Sequence, residues 1–429
     1  MRTRDARVVY LALQSATALL HTTTWTTAAV YLINVAHLGA LQLVLLGTIM
    51  EASIFLFEIP TGVLADTAGR RRSVIIGTLV MGSATVLTGS IPWFPALLAS
   101  QALWGLGETF TSGATAAWLA GEVGDRAAGP LFLRAAQYQR VAAAVGIGLG
   151  VGLANLGLGL PLIAGGAIQI ALGGWLVGAM PETGFSRGVG GDRGDGGIGD
   201  DRAAGQGDAG ERLGWRELAR TALDGLAAAR GDRVLVALLA VAVLVGASTE
   251  GIDRLWELHL LRGVGFPAVH LSAVSWFGII QMVSLALGAA VIAPVRRRLD
   301  TTDPGALCRL LLALTAVEAA GLAAFGAATG FGPAVVAFLG YDAARGLRDP
   351  LYGAWVVPMI EPRLRATVLS TIGQADAVGE TLGGPAIGLI ATLATPGAAI
   401  VAAGAALVPA IALLANLLPG RPGRAPAHR

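Results

Sequence analysis

Ionisable residues recur inside stretches of the sequence that are otherwise apolar. These acids and bases are Glu51, Glu58, Glu108, Arg140, Glu250, Asp253, Arg254, Arg345, Asp376 and Glu380. A charge at bilayer depth costs roughly 2.5–3.5 kcal/mol on insertion scales, so such groups usually pair with one another or face a watery cavity. A carboxyl group in surroundings of low dielectric favours its protonated form. It can therefore bind a proton or a cation in turn, and we expect this above all of Glu51, Glu108 and Glu380.

The spacing of these residues places several of them on shared helix faces. Glu51 and Glu58 are seven residues apart, which is two helical turns. The segment 250–257 repeats ionisable residues at i, i+3, i+4 and i+7. Each charge also has a simpler interpretation, a static ion pair that only holds two helices together, for instance Glu108 with Arg140.

Another group of residues could line a cavity. The polar run from His21 to Thr27 offers an imidazole, several hydroxyl groups and the ring of Trp25. The predicted lining adds Glu250, Asp253 and Arg254 from the later stripe. The imidazole titrates near neutrality and could relay protons. The threonine hydroxyls could instead bond back to their own helix.

The composition indicates which elements carry these residues. The chain has 429 residues, of which 54% are hydrophobic and 14% are charged, and its mean hydropathy is +0.67. Soluble domains carry roughly 25% charged residues, and a helix needs roughly 20 apolar residues to cross a bilayer. We therefore predict an all-helical membrane protein. Its twelve predicted spans cover residues 8–34, 39–65, 73–92, 95–121, 131–155, 160–180, 233–259, 269–294, 306–328, 333–359, 366–391 and 396–418.

Arginine marks one side of the predicted membrane protein. The residues concerned lie at positions 2, 4, 7, 70–72, 126, 296–298, 363, 365, 421 and 424. All of these positions fall on one side if the spans alternate, whereas Arg262 is an exception on the other side. Cytoplasmic loops carry an excess of positive charge. We therefore expect a multi-pass protein of the cell membrane with both termini in the cytoplasm.

A polar segment divides the chain into two related halves. Residues 1–182 form the predicted first six-helix bundle and residues 233–420 the second, followed by a cytoplasmic tail over 421–429. The linker, 183–232, combines a Gly/Asp/Arg-rich stretch expected to be disordered with a short helix, which lies on the membrane surface or is a soluble linker helix. Ala117-Trp118 matches Ala354-Trp355 at an offset of 237 positions, and Arg126, Gln137 and Gly146 match partners at the same offset.

The turn after the second span contains the most specific motif. Residues 62–72 are Gly-Val-Leu-Ala-Asp-Thr-Ala-Gly-Arg-Arg-Arg. This segment resembles the signature loop of the major facilitator superfamily, Gly-x-x-x-Asp-x-x-Gly-Arg-Arg, at every key position. The resemblance implies two pseudo-symmetric six-helix bundles that rock about a site near mid-membrane. The predicted gate motif consists of Gly62, Asp66, Gly69, Arg70 and Arg71.

The residue types of the gate motif suit a conformational switch. Gly69 allows a tight turn with positive φ, and Gly62 allows a neighbouring helix to approach closely. The resemblance implies that Asp66 faces the start of the eleventh span, near residue 366, in one conformation. It also implies that Arg70 pairs with an acid at the end of the fourth span, either Glu122 or Asp125.

The sequence departs from the drug-exporting members of that superfamily at two places. Gln101 stands where many exporters have Arg, and the Gly-Pro pair of their fifth span occurs here in the eleventh, at Gly384-Pro385. These departures leave the direction of transport and the coupling ion open.

Three functions fit these observations. The first is export of small hydrophobic organic compounds in exchange for protons, by alternating access. The second is a proton-coupled uptake symporter for a small polar nutrient, and the third is a non-transporting receptor or scaffold. No nucleophile–base set, metal cluster or nucleotide loop indicates an enzyme, a cofactor or a metal site. The formal net charge of +2 without a basic patch argues against nucleic acid, and we expect a monomer in the lipid bilayer.

Overall fold

The computed structural model describes residues 4–183, 233–298, 303–360 and 365–418, and these residues form fourteen α-helices and no strand. The first half contains α1 (Ala6–Trp25), α2 (Ala28–Asn34), α3 (Ala40–Ala68), α4 (Arg70–Ser90), α5 (Phe94–Thr111), α6 (Ala114–Val123), α7 (Asp125–Leu156) and α8 (Leu160–Ala179). The second half contains α9 (Arg233–His259), α10 (Ala273–Arg298), α11 (Pro304–Ala327), α12 (Phe331–Val356), α13 (Arg365–Leu393) and α14 (Pro396–Asn416). Short helical turns extend α9 over Leu260–Val264 and α12 over Val357–Met359.

The helices follow the predicted spans, and the all-helical membrane fold is confirmed. Eight of the described helices are long and apolar enough to cross a membrane by length and composition. Two predicted spans are broken instead of continuous. The first divides into α1 and α2 at residues 26–27, and the fourth divides into α5 and α6 at Gly113, whose φ is +66°. The division into domains stays a prediction, and the predicted linker disorder, linker helix and tail lie outside the described residues.

The breaks have local physical causes. Thr23 and Thr24 donate their hydroxyl hydrogens to the carbonyls of Leu19 and Leu20, and such bonds bend helices. Gly113 adopts a left-handed conformation that side chains disfavour.

Consecutive helices run in opposite directions, so the protein has two ends. We call the end with residues 5, 69 and 124 the terminal end, and the end with residues 36, 157 and 329 the far end. At the far end, buried side chains of both halves form one hydrophobic core, which includes Val44, Leu255 and Phe277. At the terminal end, the first half has a separate core around Val74 and Leu119.

The two halves therefore contact each other mainly towards the far end. The helix α3 packs against α9 and α13, and α7 packs against α10. Ser272 Oγ donates a hydrogen bond of 2.8 Å to Asn155 Oδ1 across this junction. A Cβ placed on Gly278 of α10 would collide with the side chain of Val151 of α7.

Candidate substrate cavity and gate

A cavity of about 350 Å³ lies between the halves, beneath their far-end contact. The helices α1, α2, α3 and α5 form one wall, and α9 and α10 form the other. Its polar and aromatic lining consists of His21, Trp25, Gln101, Asp253, Arg254, Trp256, Glu257 and Gln281. The structure thus brings together four predicted lining residues, His21, Trp25, Asp253 and Arg254.

Two tryptophan rings give this cavity aromatic walls. Trp256 stacks on Phe338, with ring centroids 4.5 Å apart and planes at 16°, and meets Phe277 edge-on at 5.3 Å. On the other wall, Trp25 packs edge-on against Trp104 at 6.0 Å. These contacts hold each ring in one orientation, so the walls are preorganised for a flat or apolar group.

Two ion pairs neutralise four charged side chains at or near the cavity. The guanidinium of Arg345 donates two hydrogen bonds, of 2.5 and 2.9 Å, to the carboxylate of Asp253. Arg254 Nε donates to Glu250 Oε1 at 3.1 Å, one turn away on the same helix. The static interpretation therefore describes these four residues in this conformation. Arg345 also donates to the hydroxyl of Tyr341 at 3.3 Å.

Two buried polar side chains of the cavity are not engaged in this way. Glu257 is 7% exposed and forms no ion pair among the described residues. Gln101 is 2% exposed, and its Oε1 has no hydrogen-bond partner in the described part of the chain. Neither residue was among the predicted sites. The signal for Glu257 was its place in the stripe 250–257, and the signal for Gln101 was an amide inside an apolar span.

A pair of carboxyl groups joins the halves next to the cavity. The side chains of Glu51 on α3 and Glu380 on α13 lie close enough to interact electrostatically. Two carboxyl groups at short range repel each other when both are ionised. Asp376 lies one turn from Glu380 on the same helix and is half-buried. The structure therefore groups three of the predicted proton candidates at the contact between the halves.

Glu108 lies elsewhere. It lines a second cavity of about 240 Å³ inside the first half, with Gln14, Thr17 and Thr78. The repeat offset of 237 makes Glu108 and Arg345 equivalent, which predicts that both face the transport path. In this conformation Arg345 is bound to Asp253, which lines the cavity between the halves, and Glu108 lines the cavity of the first half. That both residues face the path stays a prediction.

The static pair of Glu108 with Arg140 is also not formed. Arg140 is exposed on α7, and no ion pair joins the two residues. Glu58 is exposed on α3, two turns from Glu51 towards the terminal end. These residues therefore do not belong to the cavity between the halves.

The gate motif forms the turn between α3 and α4 at the terminal end. Gly69 has φ of +110°, which confirms the predicted turn. Arg70 donates to the carbonyl of Ala117 at 2.9 Å and lies 3.7 Å from Asp66, whose side chain is 72% exposed. The predicted pairing of Arg70 with Glu122 or Asp125 is thus wrong here, because the guanidinium of Arg70 forms a hydrogen bond with the backbone of α6 instead.

Arg71 makes close contacts in this conformation, whereas Gly62 does not. Arg71 donates to the carbonyls of Met180 and Val177, at 2.8 and 2.5 Å, and so holds the C-terminal end of α8. A Cβ on Gly62 would meet nothing within 4 Å, so the close approach predicted for this glycine is absent in this conformation. The contact of Asp66 with the start of α13 stays a prediction for the opposite conformation.

Comparison of sequences finds no matching protein-family profile and no matching curated protein. Comparison of structures finds similar folds. The nucleoside transporter NupG has a TM-score of 0.73 at 12% identity, over 97% of this chain and 100% of that one. A POT family transporter in complex with 5-aminolevulinic acid has a TM-score of 0.69 at 11% identity, over 97% and 98%. The human organic anion transporter MFSD10 (TETRAN) has a TM-score of 0.57 at 16% identity, over 96% and 99%.

The chain has the fold of these membrane transporters. This likeness agrees with the predicted all-helical membrane fold. At these identities the likeness concerns the fold alone.

Proposed function

We propose that this protein is a secondary active transporter that moves a small molecule across the membrane by alternating access. The observation that carries the proposal is the cavity between the halves, which lies beneath a packed far end. Towards the terminal end, the halves have no common core among the described residues. A site between two bundles, covered on one side only, is what rocking of the bundles requires.

Our first candidate for direction and coupling is export of small hydrophobic organic compounds in exchange for protons. The proximity of Glu51 and Glu380 supports it, because these two carboxyl groups lie on opposite halves and would move apart when the halves separate at the far end. The aromatic walls of the cavity suit an apolar part of the substrate.

The second candidate is proton-coupled uptake of a small polar solute. The polar lining of the cavity favours it, since amide, carboxyl and imidazole groups occupy both walls. The similar folds of a nucleoside transporter and of a POT family transporter in complex with 5-aminolevulinic acid also agree with a small polar substrate.

Reconstitution tests transport against a receptor or scaffold. We expect purified protein in liposomes to move a radiolabelled substrate, chosen by a susceptibility and growth screen of cells with and without the protein. The screen is repeated with the proton gradient collapsed. Accumulation inside cells that depends on the gradient supports uptake, and gradient-dependent resistance supports export. Binding without flux in either direction would refute the transport role.

A further inference from the structure

One acid in the lining of the cavity between the halves has no counter-charge among the described residues. Of the charged groups at or near the lining, Asp253 is matched by Arg345 and Glu250 by Arg254. Glu257 lines the cavity without such an ion pair, and it is buried at 7% exposure. An ionised carboxylate is costly to bury without a counter-charge, so a cation inside the cavity would stabilise it.

The amide of Gln101, on the opposite wall of the cavity, is a second buried group that lacks an interaction partner. Its Oε1 is buried and accepts no hydrogen bond within the described structure. A buried acceptor without a donor costs free energy, so a ligand that brings an N–H group would satisfy it. Gln101 belongs to α5 and Glu257 to α9, and both line the same cavity. A ligand held by both would therefore bridge the two halves.

The aromatic walls and the volume define the rest of the ligand. Trp25 and Trp256 line the cavity, and an ammonium group is attracted to the face of such rings. The volume of about 350 Å³ lies at the lower end of the range for small-molecule sites. It accommodates one ring with a short side chain and leaves little space for a large lipophilic compound.

We propose that this cavity binds a small organic ammonium ion that carries N–H groups and a ring, with Glu257 as its counter-charge and Gln101 as a second acceptor. The inference rests on the proposed function only in treating the cavity as the substrate site. It names a class of substrate in which both the positive charge and the N–H donors contribute.

Four matched probes test the inference on the purified full-length protein. Phenethylamine carries charge and donors, its trimethylammonium analogue carries charge alone, 2-phenylethanol is neutral, and phenylacetate is an anion. Loss of a hydrogen bond to a charged group lowers affinity about 10- to 150-fold. We expect calorimetry to show phenethylamine binding most tightly, the trimethyl analogue binding more weakly, and phenylacetate not binding.

Variants assign the effect to the two residues. Glu257→Gln should lower the affinity for phenethylamine by about 10-fold or more and leave 2-phenylethanol unchanged. Gln101→Leu should affect phenethylamine and not the trimethyl analogue. The matched control is Asp125→Asn, which removes one exposed carboxylate at the start of α7 and should leave all four affinities unchanged. If a variant fails to fold, the order of the four binding affinities on the natural protein still tests the inference.

Several results would overturn the inference: equal binding of alcohol and amine, tighter binding of phenylacetate, or no binding of any probe. Flux of the same probes into proteoliposomes separates this outcome from the transport role. Binding of phenethylamine without flux would refute transport and retain the cation site. Flux of phenylacetate above that into protein-free liposomes, without such flux of the amine, would retain transport and refute the cation site.

Discussion

The packed contact at the far end predicts that a single methyl group will shift the balance between conformations. A Cβ on Gly388 of α13 would lie 3.0 Å from Cβ of Val44 and 3.2 Å from Cα of Leu41, both on α3. Carbon atoms at optimal separation are about 3.5–4.0 Å apart. Because the opposing atoms belong to backbone or Cβ positions, no rotamer change removes the overlap. In Gly388→Ala the helices must therefore separate by roughly 0.5 Å.

The size of the effect follows from where the contact exists. Overpacking a well-packed site costs about 1–3 kcal/mol. Only the conformation with a closed far end has α3 and α13 in contact at this point, so the cost falls on that state alone. A differential free energy of this size changes the ratio of two states by about 5- to 150-fold. Gly388→Ala should therefore increase the population that is open at the far end.

Distance measurement by pulsed electron spin resonance provides the assay. Spin labels at Leu156 and Val269 report the separation of the halves at the far end, since these residues are 80% and 52% exposed. The native Cys308 is buried and is replaced by Ala in this background. We expect Gly388→Ala to enlarge the long-distance fraction.

The matched control lies on the same helix. A Cβ on Gly373 would meet nothing within 4 Å, so Gly373→Ala should leave the distance distribution unchanged. Identical distributions for the two alanine variants would show that the Gly388 contact does not stabilise the closed far end, and the steric reasoning would then be rejected.

Three other predictions concern buried or bridging charges. Glu318→Gln leaves the guanidinium of Arg348 buried beside a neutral partner, where the pair was 2.7 Å apart. We expect the free energy of unfolding to fall by about 3 kcal/mol, which is the low end for buried pairs, because Asp349 still pairs with Arg348 at 3.1 Å. An unchanged midpoint of thermal unfolding would count against this prediction. Arg71→Gln should increase hydrogen exchange in the last turn of α8, because hydrogen bonds to a charged group contribute about 1.5–3 kcal/mol, and unaltered exchange would contradict this. In the natural protein, ionisation of both Glu51 and Glu380 at high pH places two negative charges side by side between α3 and α13, so the labelled far end should open as the pH rises. Glu380→Gln should abolish that pH dependence, because the amide carries no charge at any pH; a preserved profile would exclude the pair as the sensor.

Much of the fold could be predicted because the bilayer imposes length and polarity on each span. The apolar stretches predicted where the helices lie, and eight of the described helices are long and apolar enough to cross a membrane. The Gly69 turn followed from its place between two spans. The break at Gly113 could not be predicted in the same way. A glycine inside an apolar span also suits close packing, and only the left-handed backbone shows that this one interrupts a helix.

The site was predictable in its composition and less so in its pairing. Helical spacing identified the stripe on α9, and three of its charged residues, Asp253, Arg254 and Glu257, line the cavity. The repeat offset predicts that Glu108 and Arg345 both face the transport path, yet Glu108 lines the cavity inside the first half and Arg345 binds Asp253. Sequence spacing fixes which residues share a helix face. The partner of a long Arg side chain depends on the neighbouring helices. Arg70, for example, donates a hydrogen bond to the carbonyl of Ala117.

The core shared by the two halves also has a consequence for how the protein is made. Val44 is fully buried, and Gly388, which covers it, is encoded more than three hundred positions later. At a synthesis rate of about 5–20 residues per second, the early helices wait roughly 20–70 s for that cover. The core around Val74 and Leu119 needs only helices of the first half. The first bundle therefore completes the packing of its two ends at different times. Its far end contacts lipid until the last helices leave the ribosome.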